Sequence, residues 1–440
     1  MDERTSMTLA LVGDNMITRH ALGGQEPETR EIIDALQAAD VTFGNLEVLP
    51  NDFKGHPAQE SGGTHIAART WVVDELLDAG YDMLSTATNH ALDYSIEGLL
   101  ETIDVLERKG VNYAGVGRNL AEARMPVYVE RKGNTVAMLS CCSTFAKGQL
   151  AAEQRPDLPG RPGLNPLRFN TVYEVTPEQV EQIRTIATEL GIEDQRLQRL
   201  QLGFGFPPDD PDLVPFLDLN FRAAEKPAIR TTPSDGDMNA ISTWVHEARN
   251  RADVVIVSLH GHEQGATRED PAEFIPIFAH RMIDEGADLV VMHGPHLLRG
   301  MEIYNGKPIF YSLGNFIAQN DLVHVSPADA YTRFRVDPSK TPGEIARIRS
   351  DDGKKGFPAD HRYWESLLVN LRIKQGRMTA IELLPVTLGY GDTVLRRGRP
   401  RRAHGELAQS ILTRFAELAR PFGTELEING ETALVTLPEE

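Results

Sequence analysis

The stretch Val254-Val255-Ile256-Val257-Ser258-Leu259-His260, continued by Gly261-His262-Glu263, decides how this chain is read. Val254–Leu259 is an apolar run with the length and β-branched content of a buried strand. Pro271–Glu285 then has helical spacing, and Leu289–Met292 is a second apolar run that ends in His293-Gly294-Pro295-His296. Strand, helix and strand in close succession predict a parallel βαβ unit. The same rhythm fills the first part of the chain. Thr8–Gly13 is a strand ending in Asp14, and Glu28–Ala39 is a helix through Ile32, Ile33 and Leu36. Val41–Glu47 is the next strand, and Ala68–Ala79 sets Trp71, Val72, Leu76 and Leu77 on one helical stripe. Tyr81–Ala87 (strand) precedes Asn89-His90, and the helix Ile96–Lys109 is closed by Gly110. Met238–Arg251 is the helix before the opening strand. Hairpins are expected at Lys132-Gly133-Asn134, between Val127–Arg131 and Val136–Cys141, and at Asn305-Gly306, between Met301–Tyr304 and Pro308–Tyr311. The sum is a layered α/β fold with a mostly parallel central sheet.

Outside this rhythm lie two breaks. Residues 146–235, with RPDLPGRPGLNP and GFGFPPDDPD around a helical segment Pro177–Leu190, read as an insertion and a possible lid. Pro327–Asp360 reads as another long polar loop. Ser366–Ile373 and Thr379–Pro385 then form a strand pair. Residues 391–440 read as a C-terminal extension with a helix, Leu407–Ala419, and a short β tail. The main domain is thus expected over residues 7–390.

Composition narrows the function. The chain has 440 residues, 41% hydrophobic and 25% charged, with 64 Asp and Glu against 45 Lys and Arg and a formal net charge of −19. That balance opposes nucleic-acid binding. Cys141 and Cys142 are the two cysteines, adjacent in an expected strand, so no disulfide framework is expected and a reducing cytoplasm fits. The sequence starts with no cationic leader or long apolar run, so neither a membrane anchor nor export is expected. The tract Arg396–Arg402 (RRGRPRR) reads first as a solvated loop and second as a dock for an acidic substrate or partner.

The chemistry collects at strand ends. Asp14, Glu47, Asn89, His260 and His293 each close a separate expected strand, and open α/β sheets bind ligands at that edge. Carboxylates, an amide carbonyl and imidazoles suit a divalent cation: Mn, Zn, Fe or Ca. His296 joins them as a ligand or an acid/base group. His90 with Asp93 has the makings of a carboxylate-oriented imidazole. His262, two residues after His260, is carried as an acid/base candidate. His20, His56, His65, His246, His280, His324, His361 and His404 lack such a setting and are read as surface residues.

These motifs resemble the CapA family, named for poly-γ-glutamate capsule synthesis and similar to the calcineurin-like metallophosphoesterases. The resemblance is carried by Gly13-Asp14-Asn15-Met16, Gly44-Asn45-Leu46-Glu47, Thr88-Asn89-His90-Ala91-Leu92-Asp93-Tyr94, Ser258–Glu263, His293–His296 and Gly306–Phe316. It implies a four-layer α/β/β/α metallophosphoesterase-like fold. Related phosphoesterases carry His where Met16 stands, so one metal ringed by acid/base residues is expected rather than a two-metal phosphatase centre. The family includes lasso-peptide epimerases. The resemblance therefore implies a metal-dependent enzyme acting on a peptide or polyglutamate-like amide, by hydrolysis or Cα epimerisation. The alternatives are a partner subunit in polyglutamate capsule synthesis and a phosphoesterase.

Overall fold

The computed structural model describes residues 6–24 and 26–437. The chain divides into two compact units. The larger comprises the chain up to Leu167, Asn239–Pro271, and everything from Ala279 onward; the smaller comprises Arg168–Met238 and Ala272–Phe278.

Two large sheets dominate the larger unit, beside a two-stranded pair, Val116–Gly117 with Gly163–Leu164. The first has ten strands, in the order Glu427–Asn429, Thr432–Val435, Arg377–Thr387, Glu365–Lys374, Met7–Met16, Val41–Leu46, Met83–Ser85 and Asn112–Ala114. Asn315–Ala318 also pairs with Met7–Met16, and Arg401–Arg402 with Arg377–Thr387. The second has six strands, in the order Met301–Tyr304, Lys307–Phe310, Leu289–His293, Val254–His260, Asn134–Cys142 and Val127–Arg131. Leu9, Leu11, Phe43 and Val369 from the first sheet share one core cluster with Met138, Ile256, Val291 and Phe310 from the second. The alternate side chains, Ala10, Val12, Leu84 and Leu368, pack instead with Ile32, Leu36, Val72 and Leu76 of the helices. The period of two along a strand forces this division, so the sheets face each other and helices cover them. On the second sheet Val255 and Val257 are also fully buried. The result is the four-layer α/β/β/α fold of the metallophosphoesterase-like superfamily.

Register does the positioning. Asp14 lies opposite both Asn45 and Asn315, and Asn45 opposite Ser85. In the second sheet Cys142, His260 and His293 form one row. Parallel strands in register end at the same edge, which gathers distant residues without any long loop. Just beneath, Ser85 Oγ is 2.8 Å from Ser140 Oγ and accepts from Ser258 Oγ at 3.1 Å, a buried hydroxyl trio that ties the sheets together.

Several expectations need correction. Pro327–Asp360 is no plain loop: it holds helices Ala328–Phe334 and Pro342–Arg349 and a short 3-10 turn, Phe357–Ala359. The helices are too short for apolar periodicity to show, and the turn-like Thr341-Pro342-Gly343-Glu344 is a capping box with Pro at the first turn. The basic tract is not a solvated loop either. Arg396 pairs with Glu26, Arg397 with Asp321 and Arg401 with Asp392, while Arg402 donates to the carbonyls of Pro385 and Glu431. His65 is buried, its Nε2 2.7 Å from the Ala58 carbonyl. Residues 401–435 add strands to the ten-stranded sheet, and Ile411, Leu412 and Phe415 of helix Gly405–Ala419 enter the core between the sheets. An amphipathic helix announces that it needs a partner, not which one.

The smaller unit contains a four-stranded sheet, ordered Val214–Phe216, Leu219–Ala223, Phe169–Val175 and Ala228–Pro233, with helices Pro177–Glu189 and Ile192–Gln201. The irregular reading of residues 146–235 misses these strands, because few of their side chains are fully buried and no apolar run marks them. Arg168 grips Asp237 through Nε and Nη2, both at 2.7 Å, and Phe169 stacks on Phe274 at 4.3 Å.

Gly13 is where backbone approaches backbone: a Cβ there would sit 1.9 Å from the Gly314 carbonyl oxygen, while Asp14 N donates to that same oxygen at 3.0 Å. Gly13→Ala is expected to destabilise the protein by about 1–3 kcal/mol, the usual cost of overpacking a rigid site. Urea unfolding measures it.

Candidate metal centre

Asp14, Glu47, Asn89, His90, Asp93, His260, His293 and His296 are all buried, and the structure brings them together at the shared strand edge. Asp14 lies near the end of the strand Met7–Met16, where its register with both parallel neighbours shifts. Its Oδ1 accepts from Asn45 Nδ2 at 2.8 Å and its Oδ2 from the Gly294 amide at 3.1 Å. His293 Nδ1 and His296 Nδ1 each lie 3.6 Å from an Asp14 oxygen. Glu47 projects into the middle. One of its oxygens is 3.5 Å from His260 Nε2 and 3.8 Å from His90 Nε2; the other is 3.8 Å from His296 Nδ1. His260 Nε2 is 2.8 Å from Asn89 Oδ1, and its Nδ1 is 3.3 Å from Asn45 Nδ2.

Burial without compensation dominates the electrostatics. It lifts the Asp14 carboxyl from its ordinary 3.8 to about 7, against hydrogen bonds from Gly294 and Asn45 that pull the other way. It raises the Glu47 carboxyl well above the carboxylate range, with the Asp14 and Asp93 charges adding to the rise. It pushes the imidazoles down instead, His293 to about 3 and His296 to about 4, and His260 and His262 well below their usual value. Both Glu47 oxygens, both His293 ring nitrogens and His262 Nε2 are buried with no hydrogen-bond partner. Buried polar atoms are normally satisfied, so this many around one point is the signature of a ligand set.

Two groups of ligand atoms lie within mutual metal-binding reach: Asp14, Glu47 and His260, and Glu47, His262 and His296. They share Glu47. Neutral imidazoles and carboxylates fit a divalent cation, whose charge would remove the cost of burying the carboxylates. His262 thus belongs with the metal group as much as with acid/base chemistry, since its ring lies 5.1 Å from that of His296.

Around this set stand residues that the sequence reading did not single out. Asn45 holds both Asp14 and His260, and its sole signal was its place within Gly44-Asn45-Leu46-Glu47. Asn315 Oδ1 lies 2.9 Å from His296 Nδ1, and His296 itself has a left-handed backbone, φ +63°, in the turn begun by Gly294. Glu263 accepts from Ser143 Oγ and Thr144 Oγ1, both at 2.6 Å, and Thr144 Oγ1 accepts from the His262 amide at 2.8 Å. The fully buried Arg299 fixes the same loop through the carbonyls of Glu263 and Arg268, both at 3.0 Å. His90 Nδ1 meets Asp93 Oδ2 at 2.7 Å, and that oxygen also accepts from the Ile66 amide at 2.7 Å.

In the metal-free chain these groups pull stability in opposite directions. The raised Asp14 pKa favours the folded state below pH 3.8, an advantage lost as pH rises through about 7. The depressed His293 and His296 values favour it above pH 6.5, an advantage lost as pH falls to about 3–4. A divalent cation requires the carboxylate ionised and the imidazoles neutral. The gain in Tm on adding Mn2+ is therefore expected to be larger at pH 8 than at pH 5. In Asp14→Asn most of that difference should vanish, as thermal scans with and without chelator would show.

Residues 8–320 match the family described as "Bacterial capsule synthesis protein PGA_cap". Among curated proteins, "Uncharacterized protein y4sH" of Sinorhizobium fredii is 33% identical over 442 residues, covering 98% of this chain and 93% of its own length. "Capsule biosynthesis protein CapA" of Bacillus anthracis is 25% identical over 72% of this chain and 60% of its own length. "PGA biosynthesis protein CapA" of Bacillus subtilis is 25% identical over 71% and 63%. No helix among the described residues is long and apolar enough to cross a membrane. A family match spanning most of the chain, laid over a fold whose strand ends gather a metal-type ligand set, places this protein in the CapA (PGA_cap) family of bacterial capsule synthesis proteins.

Proposed function

We propose that this chain is a metal-dependent enzyme acting on a peptide or polyglutamate-like amide, with His90 and His296 as its proton-transfer groups. The observation that carries this reading is the pair of oriented imidazoles approaching different oxygens of Glu47: His90 on one, His296 on the other. His90 Nδ1 is engaged by Asp93, so the Nε2 that approaches Glu47 is its working atom, whereas His296 meets both Asn315 and Glu47 with Nδ1, which leaves its Nε2 to accept a proton. Asp14, Glu47, Asn89, His260 and His293, with His262 and His296 adjoining, would hold the divalent cation. Such an ion supplies Lewis-acid polarisation of a substrate carbonyl. Burial keeps His296 neutral at pH 7 and so able to accept a proton. Asp93, fully buried, orients His90 by holding its Nδ1 at 2.7 Å. Two bases on different sides of a substrate can remove a Cα proton and return one to the other face, or one can activate water while the other protonates a leaving amine. The names "PGA biosynthesis protein CapA" of the Bacillus subtilis relative and "Probable polyglutamine synthesis accessory protein MT0602" of a Mycobacterium tuberculosis relative favour a polymer of glutamate or its amide as substrate or product. Residues 146–235 are the proposed substrate-selecting insertion. Gln149, at its start, donates to the Asn89 carbonyl at 3.1 Å.

One observation favours a second reading, phosphoester hydrolysis. Two ligand groups sharing Glu47 is the arrangement that two-ion hydrolysis needs. Metal stoichiometry separates the cases: one ion leaves His296 free for proton transfer, while two ions with turnover of p-nitrophenyl phosphate favour the phosphoesterase.

Two experiments test the main reading. Glu47→Ala and His260→Ala should each lose bound metal by elemental analysis, and full retention by both would remove the metal centre. Peptide incubated with the metal-supplied protein in deuterated water should show either Cα exchange without cleavage or new termini. His90→Ala and His296→Ala should each slow that reaction by roughly 10²–10⁴-fold, and near-normal turnover in either excludes that residue from the chemistry.

A further inference from the structure

A protein of net charge −19 needs a local reversal of sign to receive a polyanion. The basic tract Arg396–Arg402 does not provide it, because Arg396, Arg397 and Arg401 are paired with carboxylates. The segment between the strands Asn315–Ala318 and Glu365–Lys374 does. Within it, residues 333–355 hold seven Lys and Arg against four Asp and Glu. Lys340, Arg347 and Lys355 pair locally with Glu344, Asp352 and Asp351. Arg333 and Arg349 do not. Among the described residues neither makes an ion pair; each is anchored by one neutral hydrogen bond, Arg333 Nη1 to the Ser61 carbonyl at 3.2 Å and Arg349 Nη1 to Thr64 Oγ1 at 2.8 Å. The two guanidinium groups share the ring of Phe334, at 5.6 and 3.7 Å from its centroid. Like charges held this close repel: the Arg333 charge, after burial, depresses the Arg349 pKa.

Their anchor points lead to the metal centre. Residues 58–66 wrap Asp93, whose carbonyl accepts from Ala58 N at 2.9 Å and whose Oδ2 accepts from Ile66 N at 2.7 Å. In the same belt, a Cβ on Gly62 would lie 1.9 Å from Asn89 Nδ2. Further along the cationic segment, the Phe357 ring lies 5.0 Å from that of His296. The segment therefore reaches the centre at its Asn89 side and at its His296 side, with the unpaired arginines at the former.

We propose that Arg333 and Arg349 form a carboxylate-binding subsite at the rim of the metal centre, holding a side-chain or terminal carboxylate of the substrate. Two guanidinium groups gathered on one aromatic ring, each with N–H groups beyond its single hydrogen bond, can serve the two oxygens of a carboxylate, whose charge would relieve their repulsion. The inference rests on the peptide or polyglutamate-like reading above, whose reaction it does not specify.

Calorimetric titration of the full chain with Mn2+ present tests it with three probes: glutamate hexapeptide amide, glutamine hexapeptide with a free C-terminus, and glutamine hexapeptide amide. A carboxylate-bearing probe is expected to bind at least about tenfold tighter than the last, the loss that goes with one charge-assisted hydrogen bond. Preference for the first assigns the subsite to side chains, and preference for the second assigns it to a terminus. Arg333→Gln with Arg349→Gln should erase the preference with metal content unchanged, while Arg333→Lys with Arg349→Lys should keep part of it. Equal binding of the three probes, binding of none, or a preference that survives the double Gln variant would overturn the proposal. An arginine-dependent preference without exchange or cleavage would leave the subsite standing and overturn the reaction.

Discussion

Asp14 and Glu47 are buried side by side with imidazoles as their ionic neighbours and no Lys or Arg among the described residues paired to either. Much of the surrounding structure follows from that constraint. A buried carboxylate is costly unless it is protonated, hydrogen-bonded or matched by a cation. Asn45 and the Gly294 amide meet Asp14 partway, but nothing meets Glu47, whose two oxygens have no hydrogen-bond partner. His260, His293 and His296 cannot supply the missing charge, because the same burial keeps them neutral. The arrangement is thus unfavourable for a bare protein and well suited to a divalent cation.

Rigidity makes that arrangement possible. The ligands stand at the ends of strands whose neighbours are in register, and the sheets that carry them are joined beneath by Ser85, Ser140 and Ser258. Turns add what strands cannot reach. The left-handed His296 follows Gly294, and the pair aims one ring and one amide at Asp14. Of the ligand-type residues gathered at the centre, His296 alone carries this left-handed backbone; Asn315 fixes its ring and Phe357 flanks it. Electrostatically the molecule is divided. Its arginines are mostly tied to its abundant carboxylates, and Arg333 and Arg349 are exceptions beside the belt that touches Asn89.

The sequence carried much of this. Strands of the βαβ units show as apolar runs, and five ligand-type residues were legible because each terminates such a run. His90 and Asp93 were legible as a pair because a short turn brings them together. Asn45 was not, because an amide inside an apolar strand gives no sign that it will bridge Asp14 to His260. The helices within 327–360 were missed because helices of seven and eight residues show too little periodicity. The strands of 168–238 were missed because they are mostly half-buried or exposed and carry no apolar run. Arg396–Arg402 misled for a different reason: a run of like charges gives no account of the carboxylates that fold back onto it from residues as distant as Glu26 and Asp321.

What the sequence determined by itself is the local grammar of the βαβ units: which of their segments are strands or helices, and which chemical types stand where those strands stop. Backbone sterics and the periodicity of apolar side chains act over a few residues, so a single chain displays them directly. Tertiary structure alone decided the rest: that the two sheets face each other, that residues 401–435 complete the first, that His262 joins Glu47 and His296, and which arginines keep a free charge. These are pairings between residues tens to hundreds of positions apart. Each depends on register and on the exclusion of water from a shared interior, and neither leaves a mark on the order of the amino acids.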